Sequence, residues 1–473
     1  MLNKTVQFLF FSLVIAAFLA VPAWPAAALG HAQPAGPTYL VQPGDSFSSI
    51  ASRFGLTLQE LIDANLDIDP NNLGIGDQVV IPGLEGITGM LITDPVQFGD
   101  SLASISRRNR IDPNYLIRLN HITSPSELFA GLGVVLPQDE SILPLENRVS
   151  LRPGSSMLEL AALSGANPYE LLALNQLQGS WQALPSDVLY DQKPNPEALQ
   201  NALPFSVTSL NISPIPVVQG GTVIITANAI AGTTLGGMLV DKPLHFFSSD
   251  DGNLIALQGV HAMLKPGPYP LRITATHADG SVDSFEQSII VTSGYYPEDP
   301  ILNVDPATID PTIADPETNQ LLQIVGQVNP EKGWDGIFTS PSYYNDCFTS
   351  RYGNRRTYVG VGSELTYNSF HSGLDFCGGT GLPITAPANG VVVFAGPLNV
   401  RGNATIIDHG WGVFSGIWHQ DSISVEVGQS VTQGQQIGSV GGTGRVTGAH
   451  LHWEIWVNGV QVNPMEWLET SYP

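Results

Sequence analysis

Positive charge is scarce in this chain. It has 18 Lys and Arg against 42 Asp and Glu, a formal charge of -24 over 473 residues. A phosphate-backbone partner needs clustered cations, so the balance argues against nucleic acid. It also provides no electrostatic attraction to an anionic membrane. Charged residues make up only 13%, beside 49 Gly and 36 Pro, which suits short strands and tight turns better than long surface helices. Long apolar runs are absent after the first thirty or so residues, so no second segment of spanning length exists. Cysteine is limited to Cys347 and Cys377, about thirty residues apart.

The one long apolar run follows Lys4 and reads "FLFFSLVIAAFLAV", then small residues in "PAAALGHAQPAG". That is the layout of a secretory leader over residues 1–32, with cleavage after Ala28 or Ala32. The alternative is an uncleaved anchor, since the run is nearly long enough to span a bilayer. The expectation is an exported chain with no stable membrane insertion after processing. In that compartment the two cysteines are expected to form one disulfide, the alternative being two buried thiols. The length suits about three or four domains.

A repeat follows. "VQPGDSFSSIASRFGLTLQELIDAN" recurs as "VQFGDSLASISRRNRIDPNYLIRLN" and "LRPGSSMLELAALSGANPYELLALN". The glycines Gly44, Gly99 and Gly154 and the asparagines Asn65, Asn120 and Asn175 are all 55 residues apart (99 − 44, 154 − 99, 120 − 65, 175 − 120). Each unit reads as strand, helix, helix, strand. Asp45 is placed to cap the first helix, Thr57 and Glu60 form a capping box for the second, and Asp112-Pro113 and Asn167-Pro168 supply the equivalent starts.

The first unit, residues 39–83, resembles the LysM domain through "YLVQPGDSFSSIASRFG", "LIDAN" and "LGIGDQVVIP". Residues 90–138 and 147–192 look like diverged LysM modules, the third having Ser155 where the others have aspartate. The resemblance implies a small α+β fold (βααβ) that binds N-acetylglucosamine-containing glycans such as peptidoglycan. Small packing units that bind nothing are the alternative, above all for the third.

Residues 204–293 alternate apolar and polar positions over short runs, with a hairpin signal at Asp279-Gly280, as in an all-β, immunoglobulin-like sandwich acting as spacer. Its His245, His261 and His277 lack metal spacing. Residues 294–334, rich in Pro and Asp, read as an extended linker with a short helix in "ETNQLLQIVGQV" started by Asp315-Pro316.

Near the C-terminus stands "GAHLHWEIW". His450, His452 and Glu454 alternate with Leu451, Trp453 and Ile455, the pattern of a half-buried strand with both imidazoles on one face. The local pattern does not separate a structural pair from a metal site. Upstream, "FHSGLDFCGG" places His371 and Asp375 four apart, on one face if the segment is a strand, with Gly373 leaving room between them. An imidazole, a carboxylate and a second imidazole make an open tetrahedral zinc set, and a further imidazole beside it meets the need for a base.

From "TSRYGNRR" to "VNPMEWL" the residues resemble the lysostaphin-type (LytM-like) zinc metallopeptidases, through "HSGLDF", "TGLPITAPANGVVVFAG", "IIDHGWG" and "VEVGQSVTQGQQIGSVGGTGRVTGAHLHWEI". The resemblance implies a mainly antiparallel β-sheet metallopeptidase domain over 335–473. It implies one Zn2+ per chain held by His371, Asp375 and His452, with His450 and His419 catalytic. Ile417 and Gln420 flank His419 where the family has an aromatic residue and leucine, which bears on pocket shape. His409 in "DHGWG" reads as structural. The expected function is a secreted, wall-located endopeptidase that hydrolyses peptide cross-bridges or stem peptides of peptidoglycan, targeted by the LysM modules. The alternative is a non-catalytic wall-binding regulator of a separate amidase.

Overall fold

The computed structural model describes residues 36–473 apart from 85, 88, 139–144, 146, 152–154, 185–186, 192–202 and 204–205. The expected leader and Gly154 lie outside the described residues. Among the described residues no helix is long and apolar enough to cross a membrane. The chain divides into two compact units, Met1–Thr93 with Val135–Glu140, and Asp94–Val134 with Ser141–Pro473.

In the first unit β1 (Thr38–Leu40), α1 (Phe47–Arg53), α2 (Leu58–Asp63) and β2 (Gln78–Val80) form the first module. β1 pairs antiparallel with β2 and parallel with β3 (Met90–Pro95). Gly44 is left-handed (φ 85°), which the turn between β1 and α1 requires. The cap of α1 differs from expectation: Ser46, not Asp45, caps it, in a reciprocal box with Ser49. The turn that closes Asp45 N–H onto the Gln42 carbonyl delays the helix by one residue. The Asp45 carboxylate instead accepts from Gln42 N–H and Tyr39 O–H, both at 2.8 Å, and pairs with Arg53 at 3.3 Å. The Thr57–Glu60 capping box forms as expected. Asn65 explains its place in the repeat: its amide donates to the Leu61 and Val80 carbonyls at 2.8 Å and accepts from Val80 N–H at 2.7 Å, stapling β2 to α2.

The second unit starts with α3 (Leu102–Asn109) and α4 (Pro113–Leu119), capped by Ser101 and Asp112; β4 (Gly133–Gln138) follows, its residues from Val135 on belonging to the first unit. The third repeat has β5 (Asn147–Ser150), α5 (Met157–Ser164), α6 (Pro168–Leu174) and β6 (Val188–Asp191). Asn175 bonds Leu171 and Tyr190 at 2.8, 2.8 and 2.7 Å, reproducing the Asn65 staple across the same fifteen residues.

Residues 207–292 form two sheets around one apolar core. The strands are β7 (Val207–Ser213), β8 (Val217–Val218), β9 (Thr222–Ala229), β10 (Thr234–Leu239), β11 (Lys242–Pro243), β12 (Phe247–Ser248), β13 (Leu254–Gly259), β14 (Gly267–Thr276) and β15 (Val282–Thr292). The sheet orders are β11-β10-β14-β15-β8 and β12-β13-β9-β7. At the expected hairpin, His277 N–H bonds the Ser281 carbonyl, so the loop is three residues with Gly280 left-handed at its end, not a two-residue turn.

This sandwich is packed onto the following domain rather than spaced from it. Ile255 and Leu257 share an apolar cluster with Trp334, Trp411, Trp453 and Trp467. A Cβ on Gly259 would meet Val462 and the Val457 carbonyl at 2.8 and 2.9 Å, so glycine lets the two backbones touch. Glu466 accepts from Thr222 N–H at 3.1 Å, and Asn458 donates to Gln258 at 2.6 Å.

The segment read as a linker is likewise built in. β16 (Leu302–Val304) pairs parallel with β18 (Arg355–Gly360). α7 spans Pro311–Val325, capped by Asp310, with Pro316 inside it. The sequence offers two Asp-Pro starts and the helix uses the first, which is why it begins six residues before Glu317. β17 (Phe348–Ser350) precedes β18, and β19 (Thr366–Phe370) completes a hairpin with it.

The last domain is a ten-stranded sheet with the path β17-β20-β27-β24-β23-β22-β25. Its remaining strands are β20 (Leu374–Phe376), β21 (Pro383–Thr385), β22 (Gly390–Leu398), β23 (Gly402–Gly410), β24 (Val413–Ile423), β25 (Ser430–Val431), β26 (Gln436–Val440), β27 (Leu451–Val457) and β28 (Val460–Val462), with α8 (Pro464–Glu469) at the end. β27 is buried along its whole length rather than half-buried. Leu451, Trp453, Ile455 and Val457 face the main core, while Trp456 enters a second cluster with Trp418 and Leu321 of α7. Cys347 and Cys377 form a disulfide beside the β17–β20 pair.

Candidate metal centre

Strand register brings the reactive side chains together. Asp375 of β20 lies directly opposite His452 of β27, so the two side chains rise from one face. His371 is not on that strand: it precedes β20, across a bend at Gly373. Its backbone is pinned by His371 N–H to the Asn354 carbonyl and Gly353 N–H to the His371 carbonyl, both 2.7 Å. Gly373 does not leave an open space. A Cβ there would lie 2.2 Å from the Trp453 carbonyl and 2.7 Å from His452 Nε2, so glycine permits the close crossing of the chain over β27.

The three atoms form a small triangle. His371 Nε2 is 3.0 Å from Asp375 Oδ1, Asp375 Oδ1 is 2.7 Å from His452 Nδ1, and the two nitrogens are 3.2 Å apart. Their outer partners fix the tautomers. His371 Nδ1–H donates to the Arg351 carbonyl at 2.7 Å, and His452 Nε2–H points at Glu454 Oε1 at 3.3 Å. Three unshared pairs therefore converge on one point, an arrangement that calls for a cation. Ligands of a tetrahedral zinc at about 2.0–2.1 Å stand about 3.4 Å apart, so an outward shift of a few tenths of an ångström seats the ion. The donor set of two imidazoles and one carboxylate with an open fourth position fits zinc.

Electrostatics agree. Burial raises the Asp375 pKa, but His371 and His452 outweigh it and hold the carboxyl well below its usual range. Glu454, fully buried, is pushed up by burial and drawn down to about 2 by its hydrogen bond with His452 and by Arg401. It also accepts from Ser372 at 2.5 Å, Trp456 at 2.8 Å and Gln461 at 3.0 Å, so it orients His452 rigidly. Arg356 reaches Asp375 Oδ2 at 3.5 Å and Asp299 at 3.0 Å.

Two more imidazoles border the triangle. His450 Nδ1–H donates to the Gly448 carbonyl at 2.9 Å, leaving Nε2 at 3.4 Å from Asp375 Oδ1. His419 reaches the site through a backbone irregularity. Trp418 is the residue opposite His452, so simple alternation would send His419 to the other face. A bulge sets Asn403 and Thr405 opposite Gln420 and Ile417, one residue too many on β24, and His419 takes φ 62°. The bulge turns its ring back, 5.1 Å from His450 and 5.9 Å from His452. Its Nδ1–H donates to the Thr443 carbonyl at 2.8 Å, and burial, with His452 and His450 adding, lowers its pKa to about 3.

His409 stands apart, buried, with Nδ1–H on the Asn389 carbonyl at 2.7 Å and Nε2 accepting from Ser415 at 2.8 Å. Gln420 donates to Thr405 at 2.8 Å inside the core and does not face the site. Sequence reading missed Glu454 as the partner of His452, although its period-two spacing was visible. It missed Arg356 and Glu317 altogether. Glu317 of α7 accepts from Val400 N–H, Arg401 N–H and Arg401 Nη1 at 2.8, 3.2 and 3.0 Å, and the Arg401 carbonyl in turn accepts His419 N–H at 2.9 Å.

A cavity of about 780 Å³ opens over these groups, in the usual range for ligand sites. Its walls come from the sandwich (Lys242, His261), the former linker (Thr308, Leu322) and the β18–β19 hairpin (Tyr358, Tyr367).

With this geometry in place, comparison is informative. The pattern of peptidase family M23 matches residues 369–464. The LysM domain pattern matches 39–82 and 96–137. The chain carries an M23 peptidase domain and two LysM domains. Over 96 residues it is 43% identical to the peptidoglycan DD-endopeptidase ShyA of Vibrio cholerae, covering 20% of this chain and 22% of that protein. Over 95 residues it is 43% identical to the DD-carboxypeptidase/endopeptidase Mpg of Neisseria meningitidis, covering 20% and 22%. The antimicrobial peptidase lysostaphin from Staphylococcus simulans, a solved structure, is 34% identical over 21% of this chain and 44% of that one, with a TM-score of 0.20. The chain thus spans about a fifth of the length of these curated relatives, and the shared part is the M23 domain.

Proposed function

We propose that the chain is a zinc-dependent endopeptidase that hydrolyses peptide cross-bridges or stem peptides of peptidoglycan, located at the cell wall or envelope after export. His371, Asp375 and His452 would hold one zinc ion. The observation that carries the reading is the convergence of three unshared pairs within 3.2 Å, bordered by two imidazoles whose Nδ1–H groups are held by backbone carbonyls. A relative named as a peptidoglycan DD-endopeptidase supports the substrate, and one named as a DD-carboxypeptidase/endopeptidase supports the reaction.

When bound, zinc supplies Lewis-acid polarisation of a carbonyl and activation of water for attack. The chain's own groups do the rest. His450 Nε2 and His419 Nε2, both left free by their Nδ1–H bonds to carbonyls, accept the proton of the attacking water and return one to the leaving amine. The protonated ring also steadies the developing oxyanion. Glu454 and the Arg351 carbonyl hold the ligand rings in the tautomers that face the ion. The LysM modules keep the enzyme on glycan strands and raise the local substrate concentration; the third repeat, with its Asn175 staple, is read as a further module of that kind. The two-sheet domain is read as an immunoglobulin-like sandwich whose edge walls the cavity.

Incubating purified peptidoglycan with the protein tests this. New free amines are expected with zinc and none after chelation; release that survives chelation would end the zinc reading.

A further inference from the structure

Among the described residues, Arg445 is the guanidinium of the cavity that no carboxylate holds. Three guanidinium groups line this cavity in a chain whose net charge is -24. Arg356 is paired with Asp299 and Asp375, and Arg401 with Glu317. Asp241 and Asp315 also line the cavity, yet among the described residues neither forms an ion pair with Arg445. Arg445 is held instead by neutral groups. Its backbone N–H donates to the Val400 carbonyl at 2.8 Å, its Nη1 donates to the Thr308 carbonyl at 3.2 Å, and its guanidinium lies over the Tyr358 ring, 4.3 Å from the centroid.

The side chain is therefore pre-set in position with donors to spare. Burial lowers its pKa, and the like charges of Arg401 and Arg356 act in the same direction. An anion entering the cavity relieves that repulsion and takes the free donors. Arg445 also stands on the loop that serves the reaction: Thr443, two residues before it, holds His419, and His450 follows five residues after.

We infer that Arg445 is a specificity residue that receives a free carboxylate of the substrate peptide beside the scissile bond. A cross-link whose amine-donating residue is a diamino-dicarboxylic acid carries such a carboxylate. An oligoglycine bridge does not. The inference rests on the peptidase reading of this site and narrows its substrate class to acidic cross-links.

The test uses the full-length, zinc-loaded protein with His450→Ala to stop turnover, and titration calorimetry with three synthetic probes. These are a D-alanyl–diaminopimelate peptide with its free carboxylate, the same peptide with that carboxylate as the amide, and tetraglycine. With Arg445 present the carboxylate peptide is expected to bind about tenfold or more tighter than the other two. Arg445→Gln and Arg445→Met bring it down to the amide, and Arg445→Lys restores part of the difference. Zinc content and thermal unfolding of each variant show that the fold is kept. Equal binding of carboxylate and amide with Arg445 present overturns the inference, as does a preference that survives Arg445→Gln. Because binding is read apart from turnover, the two readings fail separately: a chain with His450 intact that releases no amine from peptidoglycan sinks the hydrolase reading, whereas loss of the carboxylate preference in the binding experiment sinks this one.

Discussion

The strands of the M23 domain and the segments that wall its cavity behave oppositely. The five side chains proposed for the chemistry come from 371–452, where antiparallel register places Asp375 opposite His452 and alternation places His450 beside it. The walls come from 239–264, 302–322 and 355–370, all but the last two of these residues outside the matched region, and they reach the site through long-range contacts such as Glu317 to Arg401. Chemistry is built on paired strands; shape is built by packing. The contrast can be broken or sharpened in four ways.

The largest effect falls on the strands. His371→Ala is expected to remove bound zinc and reduce peptidoglycan hydrolysis by about 10⁴-fold or more. His450→Ala should keep zinc and lose about 10²–10⁴-fold. Metal analysis beside free-amine release separates the two; equal zinc loss in both would erase the division between ligand and base.

Next is the wall. Glu317→Ala leaves Arg401 buried without its partner and should destabilise the unit by about 3–5 kcal/mol in a denaturant titration. A change near zero would mean that α7 is the loose linker its composition suggests.

The disulfide comes third. Cys347–Cys377 closes a loop that contains Arg356, His371 and Asp375. Replacing both with serine should cost about 3–4 kcal/mol of unfolding free energy, by its effect on the unfolded chain. Unchanged thermal stability would remove it as a brace for the wall.

The smallest effect is a pH dependence in the core. His409 has its pKa lowered by burial from 6.5 to about 4. The unfolded chain therefore binds a proton that the folded chain refuses between those values. Stability is full above about pH 6.5, falls with pH toward 4 by up to about 3 kcal/mol, and is then flat with respect to this group. His409→Gln should flatten that part of the profile; an unaltered slope would place the titration elsewhere.

How much was legible follows the same division. The 55-residue repeat and the positions of its asparagines were visible because each module folds on local signals. The alternation of His452 and Glu454 with Trp453 and Ile455 was visible because period two survives in β27. The way His419 enters was not, since only a bulge with φ 62° turns it to the site and no residue type announces that conformation in the sequence. Asp45 looked like a cap because aspartate caps helices, but Tyr39 and Arg53, on the neighbouring strand and helix, claim its carboxylate. The linker was misread because its Pro and Asp content is typical of an extended chain, and the partner strand of β16, β18, lies 56 residues away (358 − 302).

The central claim is best tested by anomalous diffraction at the zinc edge from crystals of the zinc-loaded protein. Among the described residues two groups of donors lie close enough to compete, His371–Asp375–His452 and His419–His450–His452. The account predicts a single peak among His371 Nε2, Asp375 Oδ1 and His452 Nδ1. A peak held by His419 and His450 would contradict it.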